Sequence, residues 1–366
     1  MSLSIGIVGL PNVGKSTLFN ALLKRQIADV AEYPFTTVEP NTGVVEVTDE
    51  RLDKLAEVLG IAKRVPAAVK FFDIAGLIKG AHEGEGLGNK FLAQIRQVDA
   101  ILHLVRGFSD RNVPHISGQI DSVHDLNTVN LELTLADFEV VSKALKSQEK
   151  KLRFRRISKE KVRALKKVLR TLEKGKLAAE AGLSDEEKEL VEDLNLLTIK
   201  PVLYALNLDE SAVAGVSGWE GVVSKDKAKA LPVVMLLSAK LEAEIHELSE
   251  KEQQEYLKQL GLKELLLDRL IKRCYELLDL ITFFTVKGSK QAQAWPLEKG
   301  KTVLEAAEMI HTDLAKKFIK AEVIGWQELV KLGSWVKARE KGKLKLVGRD
   351  YLVKNGEVVE VHVAKR

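Results

Sequence analysis

Apolar residues in the first 240 positions fall into short runs of strand length, separated by polar loops. The first, Ser4-Ile5-Gly6-Ile7-Val8, leads through a glycine-containing loop into Thr17-Leu18-Phe19-Asn20-Ala21-Leu22-Leu23, which reads as a helix. Further runs read as strands at Val69-Lys70-Phe71-Phe72, Ala100 to Val105, Lys200 to Leu206 and Val233 to Leu237. Short continuous apolar runs with helical stretches between them are what a parallel sheet covered by helices presents. One long interval breaks this rhythm. Leu126, Val129, Leu133 and Leu145, then Val162, Leu165, Val168, Leu169 and Leu172, recur at helical spacing. A break near Ile157-Ser158, with Ser158 capping the second helix, makes this a helical hairpin. Beyond residue 280 the pattern changes again. Ile281 to Val286 and Trp295-Pro296-Leu297 read as strands, and a helix starts at Thr302 and continues through Ala306, Ala307, Ile310 and Leu314. Tyr351-Leu352-Val353 and Val358 to Val363 flank Asn355-Gly356, which reads as a terminal hairpin.

The expected fold class is therefore α/β. A parallel-sheet α/β domain spans 1–125 and 200–280, a helical hairpin is inserted at 126–199, and a small sheet on one helix, of β-grasp type, occupies 281–366. The last region carries no catalytic constellation and reads as a binding module.

With 366 residues the chain has room for two or three domains of ordinary size, roughly 100–200 residues each. Its single cysteine, Cys274, excludes a disulfide scaffold and a cysteine-rich zinc site and fits a reducing cytoplasm. Met1 to Leu10 lacks the basic flank and cleavage site of a signal peptide, and no apolar run approaches the roughly 20 residues of a membrane span. The formal net charge of +5 hides a division. Lys143 to Lys176 holds 15 Lys and Arg against 3 Glu, a local net of +12, so the rest of the chain is acidic by 7. A shorter basic stretch runs from Lys337 to Arg349. Charged helix faces often serve only as solvated surface, but they usually mix both signs. The dominance of one sign favours an electrostatic footprint for RNA or another polyanion.

The loop after the first strand is Gly9-Leu10-Pro11-Asn12-Val13-Gly14-Lys15-Ser16, a G-x-x-x-x-G-K-S sequence in a strand–loop–helix setting. Successive N–H groups of Asn12, Val13, Gly14, Lys15, Ser16 and Thr17 would surround phosphate at the helix N-terminus. Lys15 would reach the β- and γ-oxygens, and the Ser16 hydroxyl would take a Mg²⁺ position. Thr36 or Thr37, with Thr36 preferred, would complete the metal shell. Asp73, at a strand end in Asp73-Ile74-Ala75-Gly76, would contact the metal through water, and Gly76 would offer its N–H to the γ-phosphate. A loop with Gly80, Gly84, Gly86 and Gly88 follows and is expected to order when nucleotide binds. Asn207-Leu208-Asp209-Glu210 and Ser238-Ala239-Lys240 stand at strand ends where bases are read in translation-factor-type GTPases.

These motifs, together with Gly84-Glu85-Gly86-Leu87-Gly88-Asn89-Lys90-Phe91-Leu92, resemble the YchF, or Obg-like ATPase, family over the whole chain. The resemblance implies a P-loop domain, a helical insertion and a C-terminal TGS domain. It also implies a preference for ATP, with GTP weaker, and the residues offer a reason. Guanine-specific relatives carry Asn-Lys-x-Asp, whose Asp accepts hydrogen bonds from guanine N1–H and the 2-amino group. Here Glu210 is one methylene longer and Leu208 replaces the lysine. A site that cannot satisfy guanine's donors loses selectivity for it. Asp209 would reach a base only after a one-residue shift, which Asn207 opposes. Leu77 stands where many GTPases place a water-orienting Gln. His115, which matches a family loop histidine, is the leading substitute. His82 is another, and Asn12 is a third through a potassium ion. Three functions follow as expectations. The first is a slow ATPase switch, Mg²⁺-dependent and monomeric, acting in the cytoplasm on a ribosome or structured RNA. The second is a GTPase of the Obg-like class. The third is an RNA-binding protein with a structural nucleotide site.

Overall fold

The computed structural model describes residues 3–24, 41–74, 76, 87–152, 159–213, 234–262, 264–287 and 290–364. The chain divides into two compact units, one of Ser4–Lys24 with Phe71–Leu267, the other of Met1–Leu3, Arg25–Lys70 and Asp268–Arg366.

The first unit is built on a parallel sheet. β1 (Ser4–Val8) pairs with β5 (Ala100–Arg106), β5 with β6 (Val202–Asn207), and β6 with β7 (Val234–Leu237). On the other side of β1 lies β4 (Ala67–Asp73), whose last residues belong to this unit. Every residue of β1 and β5 is buried. That explains the unbroken apolar runs, since both faces of such a sheet are covered by helices. The pairing sets Val8 beside His103 and Arg106 beside Asn207, so the C-terminal ends of the strands line up at one edge. Functional loops gather at that edge in parallel α/β sheets.

The helical insertion is present. α4 (Ser122–Leu152) and α5 (Lys159–Leu172) pack through Val141, Leu145, Val162, Leu165, Val168 and Leu172. The expected Ser158 cap lies outside the described residues. At the root of the hairpin, Asp137 of α4 is fully buried and accepts from Leu197 N (2.9 Å), Thr198 N (2.7 Å) and Thr198 Oγ1 (2.7 Å). Burial pushes its carboxyl above the ordinary value, against those hydrogen bonds and the nearby Arg96. A buried carboxylate holding three donors locks the returning chain to α4, because losing it would orphan all three.

The charge arithmetic of the hairpin also changes in three dimensions. Residues 177–193 carry seven acids and one lysine. Asp193 pairs with Lys161 at 2.8 Å and Glu187 with Lys167 at 2.6 Å, while Lys166 pairs with Glu149 at 2.9 Å. Lys146, Lys150, Arg170 and Lys174 stay exposed.

The second unit contains a mixed sheet in the order β11-β10-β12-β8-β9-β3. Its strands are β3 (Lys63–Val65), β8 (Leu280–Lys287), β9 (Gln291–Glu298), β10 (Phe318–Gly325), β11 (Lys345–Val347) and β12 (Glu357–Val363). The helix expected from Thr302 through Leu314 spans Val303–Ile310, with Thr302 as its cap, and a separate short helix follows at Thr312–Lys316; Val303, Ala306 and Ala307 pack with Phe283, Trp295, Phe318 and Val359. The expected terminal hairpin does not form. β12 pairs antiparallel with β10 and parallel with β8 instead. Tyr351 to Val353 is drawn to the start of the helix, where Val303 N donates to Tyr351 O (2.8 Å) and Val353 N donates to Lys301 O (3.1 Å). β3 joins this sheet by pairing parallel with β9. Among the described residues no helix is long and apolar enough to cross a membrane.

Candidate nucleotide site

All the described residues of the candidate site belong to the first unit. The loop between β1 and α1 (Lys15–Leu23) turns at Gly14, whose φ of 95° suits glycine. A Cβ at Gly14 would also lie 2.4 Å from Asn207 Nδ2, so glycine is needed for space as well. Lys15 is 8% exposed, and its Nζ donates to Leu10 O (2.8 Å) and Gly9 O (3.2 Å). Burial lowers its pKa to about 8, with Asp73 opposing the shift. Gly76 lies against this ammonium: a Cβ there would stand 3.0 Å from Lys15 Nζ. Ser16 Oγ donates to Asp73 Oδ2 at 3.0 Å. A hydroxyl and a carboxylate from two elements, side by side, form a hard-oxygen pair that fits a Mg²⁺ ion. The remaining candidate ligand, Thr36, lies outside the described residues, as do Thr37, Leu77, His82, Gly80, Gly84 and Gly86. Gly88 is part of helix α3 (Leu87–Gln97).

At the base end, Asn207 is 4% exposed and works with both ends of its amide. Nδ2 donates to Val13 O at 2.9 Å, and Oδ1 accepts from Ala239 N at 2.9 Å. Ser238 caps the helix Ala239–Ile245, and buried Leu208 donates its N–H to Leu237 O at 2.8 Å. A cavity of about 680 Å³ opens between Gly14, Thr17, Leu208, Ala239 and the loop after β5. That volume lies within the range that holds a nucleotide-sized ligand. Both carboxylates after Leu208 have partners within the protein. Asp209 Oδ2 accepts from Ser109 N at 3.0 Å, and Glu210 Oε1 accepts a hydrogen bond from the Tyr256 hydroxyl.

His115 is not a surface residue. Its side chain is 6% exposed, with Nε2 2.8 Å from Asp125 Oδ2 and Nδ1 2.8 Å from Ser117 Oγ. Asn12 Nδ2 donates to Pro114 O at 3.1 Å, which ties the histidine's loop to the phosphate loop. The structure thus brings together Asn12, Val13, Gly14, Lys15, Ser16, Thr17, Asp73, Gly76, Asn207, Leu208, Ser238 and Ala239, with Glu210 turned to Tyr256.

Sequence reasoning missed several members. Phe108, Ser109, Asp110 and Val113 also line the cavity. Their only signal was position, at or just after a strand end. Beneath the phosphate loop, His103 is 2% exposed, and burial together with Lys15 lowers its pKa to about 3. It stays neutral and adds no charge beneath that loop.

A parallel sheet with a phosphate loop after β1 and an Asn at the end of β6 defines the P-loop nucleotide-binding class. Residues 4–208 match the family described as "50S ribosome-binding GTPase", and residues 280–364 match YchF-GTPase_C, described as a protein of unknown function. The ribosome-binding ATPase YchF of Bacillus subtilis (strain 168) is 45% identical over 98% of both chains. The protein of that name from Escherichia coli O157:H7 is 42% identical over the same shares. A solved structure of the Schizosaccharomyces pombe YchF GTPase superposes with a TM-score of 0.86 at 34% identity, covering 99% of this chain and 98% of that one. The chain belongs to the YchF family.

The buried lysine gives the site a measurable proton signature. Below pH about 8 Lys15 is charged. Between there and the ordinary lysine value of 10.5 it is neutral in the folded protein and protonated in the unfolded chain, so the cost of burying its charge is relieved as pH rises. A bound triphosphate restores the preference for the charged form. Titration calorimetry with ATP and Mg²⁺ at pH 8.5, in buffers of different ionisation enthalpy, should show net proton uptake. The uptake should shrink at pH 7 and vanish in Lys15→Ala; equal uptake at both pH values would contradict the assignment.

Proposed function

We propose that the protein is an ATP-preferring nucleoside triphosphatase switch, monomeric and cytoplasmic, that associates with the ribosome or another structured RNA. One observation carries the base preference. One oxygen of each carboxylate, Asp209 Oδ2 and Glu210 Oε1, is already engaged, by Ser109 N and Tyr256 Oη. Guanine's N1–H and 2-amino group call for both oxygens of one carboxylate, and meeting an oxygen already in use costs discrimination. Adenine makes no such demand. The buried Leu208 offers an apolar contact where guanine-specific sites carry a lysine stem.

On this reading the backbone from Asn12 to Thr17 cradles the phosphates, Lys15 reaches the β- and γ-oxygens, and Gly76 donates to the γ-phosphate. Ser16 and Asp73 fit a Mg²⁺ ion, with Thr36 as the third protein group. When bound, the ion would neutralise charge on the phosphate oxygens. Asn12, whose Nδ2 is used on Pro114, keeps its Oδ1 for a potassium ion. Leu77 has no polar atom to hold the attacking water. His115 takes that part, in a loop tied to the phosphate loop through Pro114. The names of the Bacillus subtilis and Escherichia coli relatives support ATP and the ribosome. A GTPase reading draws on the family description over residues 4–208 and on the fission-yeast protein's description, and it differs in base preference.

Equilibrium titration with ATP and GTP side by side should give tighter binding of ATP. Leu208→Lys with Glu210→Asp should move the preference toward GTP. A wild-type preference for GTP of tenfold, about 1.4 kcal/mol, would favour the GTPase reading.

The exposed basic residues of the hairpin should bind RNA phosphates without reading bases. Reversing Lys146, Lys150, Arg170 and Lys174 to Glu should weaken co-sedimentation with ribosomes. Wild-type binding should fall steeply with salt, at a log–log slope of about −0.9 per neutralised phosphate for duplex DNA and less for single strands. These positions avoid Lys166 and Lys167, whose reversal would break internal ion pairs. Unchanged co-sedimentation would return the hairpin to a solvated arm.

A further inference from the structure

The loop after β5 is organised by one buried cation. Arg106 is 1% exposed, and its guanidinium donates to Val113 O (2.9 Å), Phe108 O (3.2 Å), Asp110 O (3.4 Å) and Pro114 O (3.5 Å). Carbonyls converging on one planar donor fork leave the loop little freedom of its own. Ser122 Oγ, at the start of α4, donates to Arg106 O at 2.8 Å, so the loop and the hairpin helix share an anchor.

This rigid loop delivers His115 to a place where both ring nitrogens are taken. A neutral imidazole has one donor and one acceptor. Nε2–H faces the Asp125 carboxylate at 2.8 Å. Nδ1 accepts from Ser117 N at 3.2 Å and lies 2.8 Å from Ser117 Oγ, which is itself fixed on Gln119 O at 2.9 Å. With the His115 side chain 6% exposed and that of Asp125 4% exposed, neither nitrogen is left to hold a water.

We propose that Asp125 is a positioning residue that latches His115 away from the attacking water, and that RNA binding to the hairpin releases the latch. The proposal rests on the reading of His115 given under Proposed function. Asp125 lies in the first turn of α4, which is one helix from Ser122 to Leu152. The same helix exposes Lys146 and Lys150, about 30–40 Å further along at 1.5 Å per residue. Polyanion contact at the basic end therefore acts on the element that carries the latch. A shift of about 1 Å at the root takes the His115–Asp125 pair beyond hydrogen-bond distance. The two states are His115 bound to Asp125 and His115 free to turn toward the phosphates, and RNA favours the second by binding it better.

The test is multiple-turnover ATP hydrolysis with and without purified ribosomes, with kcat and KM resolved. Asp125→Asn keeps the shape but replaces a charge-assisted bond by a neutral one. Without ribosomes it should raise kcat about fivefold with little change in KM, and ribosomes should then stimulate it correspondingly less. In a His115→Ala background the same change should raise nothing, which separates the latch from general loosening. A fall or no change in kcat in folded Asp125→Asn, or an equal rise without His115, would overturn the latch. If Asp125→Asn fails to fold, Ser117→Ala carries the test: a smaller rise in kcat supports the latch, and none overturns it. Wild type that turns over no ATP in either condition would overturn the hydrolase reading and the latch with it, whereas normal turnover indifferent to Asp125 would overturn the latch alone.

Discussion

The nucleotide site hangs on the side-chain amide of Asn207. It donates to the phosphate loop at Val13 O and accepts from Ala239 N at the helix start after β7, both at 2.9 Å and both buried. A buried amide with each end satisfied is rigid, and breaking either bond would leave a backbone group unpaired. Gly14 is part of the same constraint, because any side chain there would occupy the place of Asn207 Nδ2. The amide therefore fixes the distance between the phosphate cradle and the base cavity.

Two further groups extend the frame. Arg106, paired in register with Asn207 across β5 and β6, gathers the loop that bears Phe108 and His115. Asp137 locks the return of the hairpin onto α4 shortly before β6 begins. Phosphate loop, base loop and hairpin root are each tied to the C-terminal end of the same sheet or to the chain entering it. A nucleotide-dependent change at one therefore has a short mechanical route to the others.

Much of this was legible in the sequence because its signals are local. The phosphate loop needs only its own spacing and the strand before it, and Asp73 and Asn207 announce themselves by ending apolar runs. What was illegible depends on residues far apart in the chain. Tyr256 meets Glu210 across 46 positions, and no periodicity points to that pairing. The basic count over Lys143 to Lys176 was correct but incomplete, since Glu187 and Asp193 fold back to pair with Lys167 and Lys161. Tyr351 to Val353 looked like half of a hairpin because Asn355-Gly356 is a strong turn signal. The turn itself forms, with Glu357 N donating to Lys354 O at 3.2 Å, but Tyr351 to Val353 bonds to the start of a helix and β12 pairs with two other strands. His115 illustrates the limit for function: its position suggested chemistry, but it is the fold that brings Asp125 and Ser117 to its two nitrogens.

If Asn207 shapes the phosphate loop as well as the base cavity, its loss must weaken ligands that carry no base. Affinity for inorganic tripolyphosphate with Mg²⁺, a ligand with no base to read, tests it directly in Asn207→Ala. If the amide holds the phosphate loop, tripolyphosphate and ATP should each lose about tenfold in affinity. If tripolyphosphate binds the folded variant as well as it binds wild type while ATP weakens, Asn207 reads only the base and the claim fails.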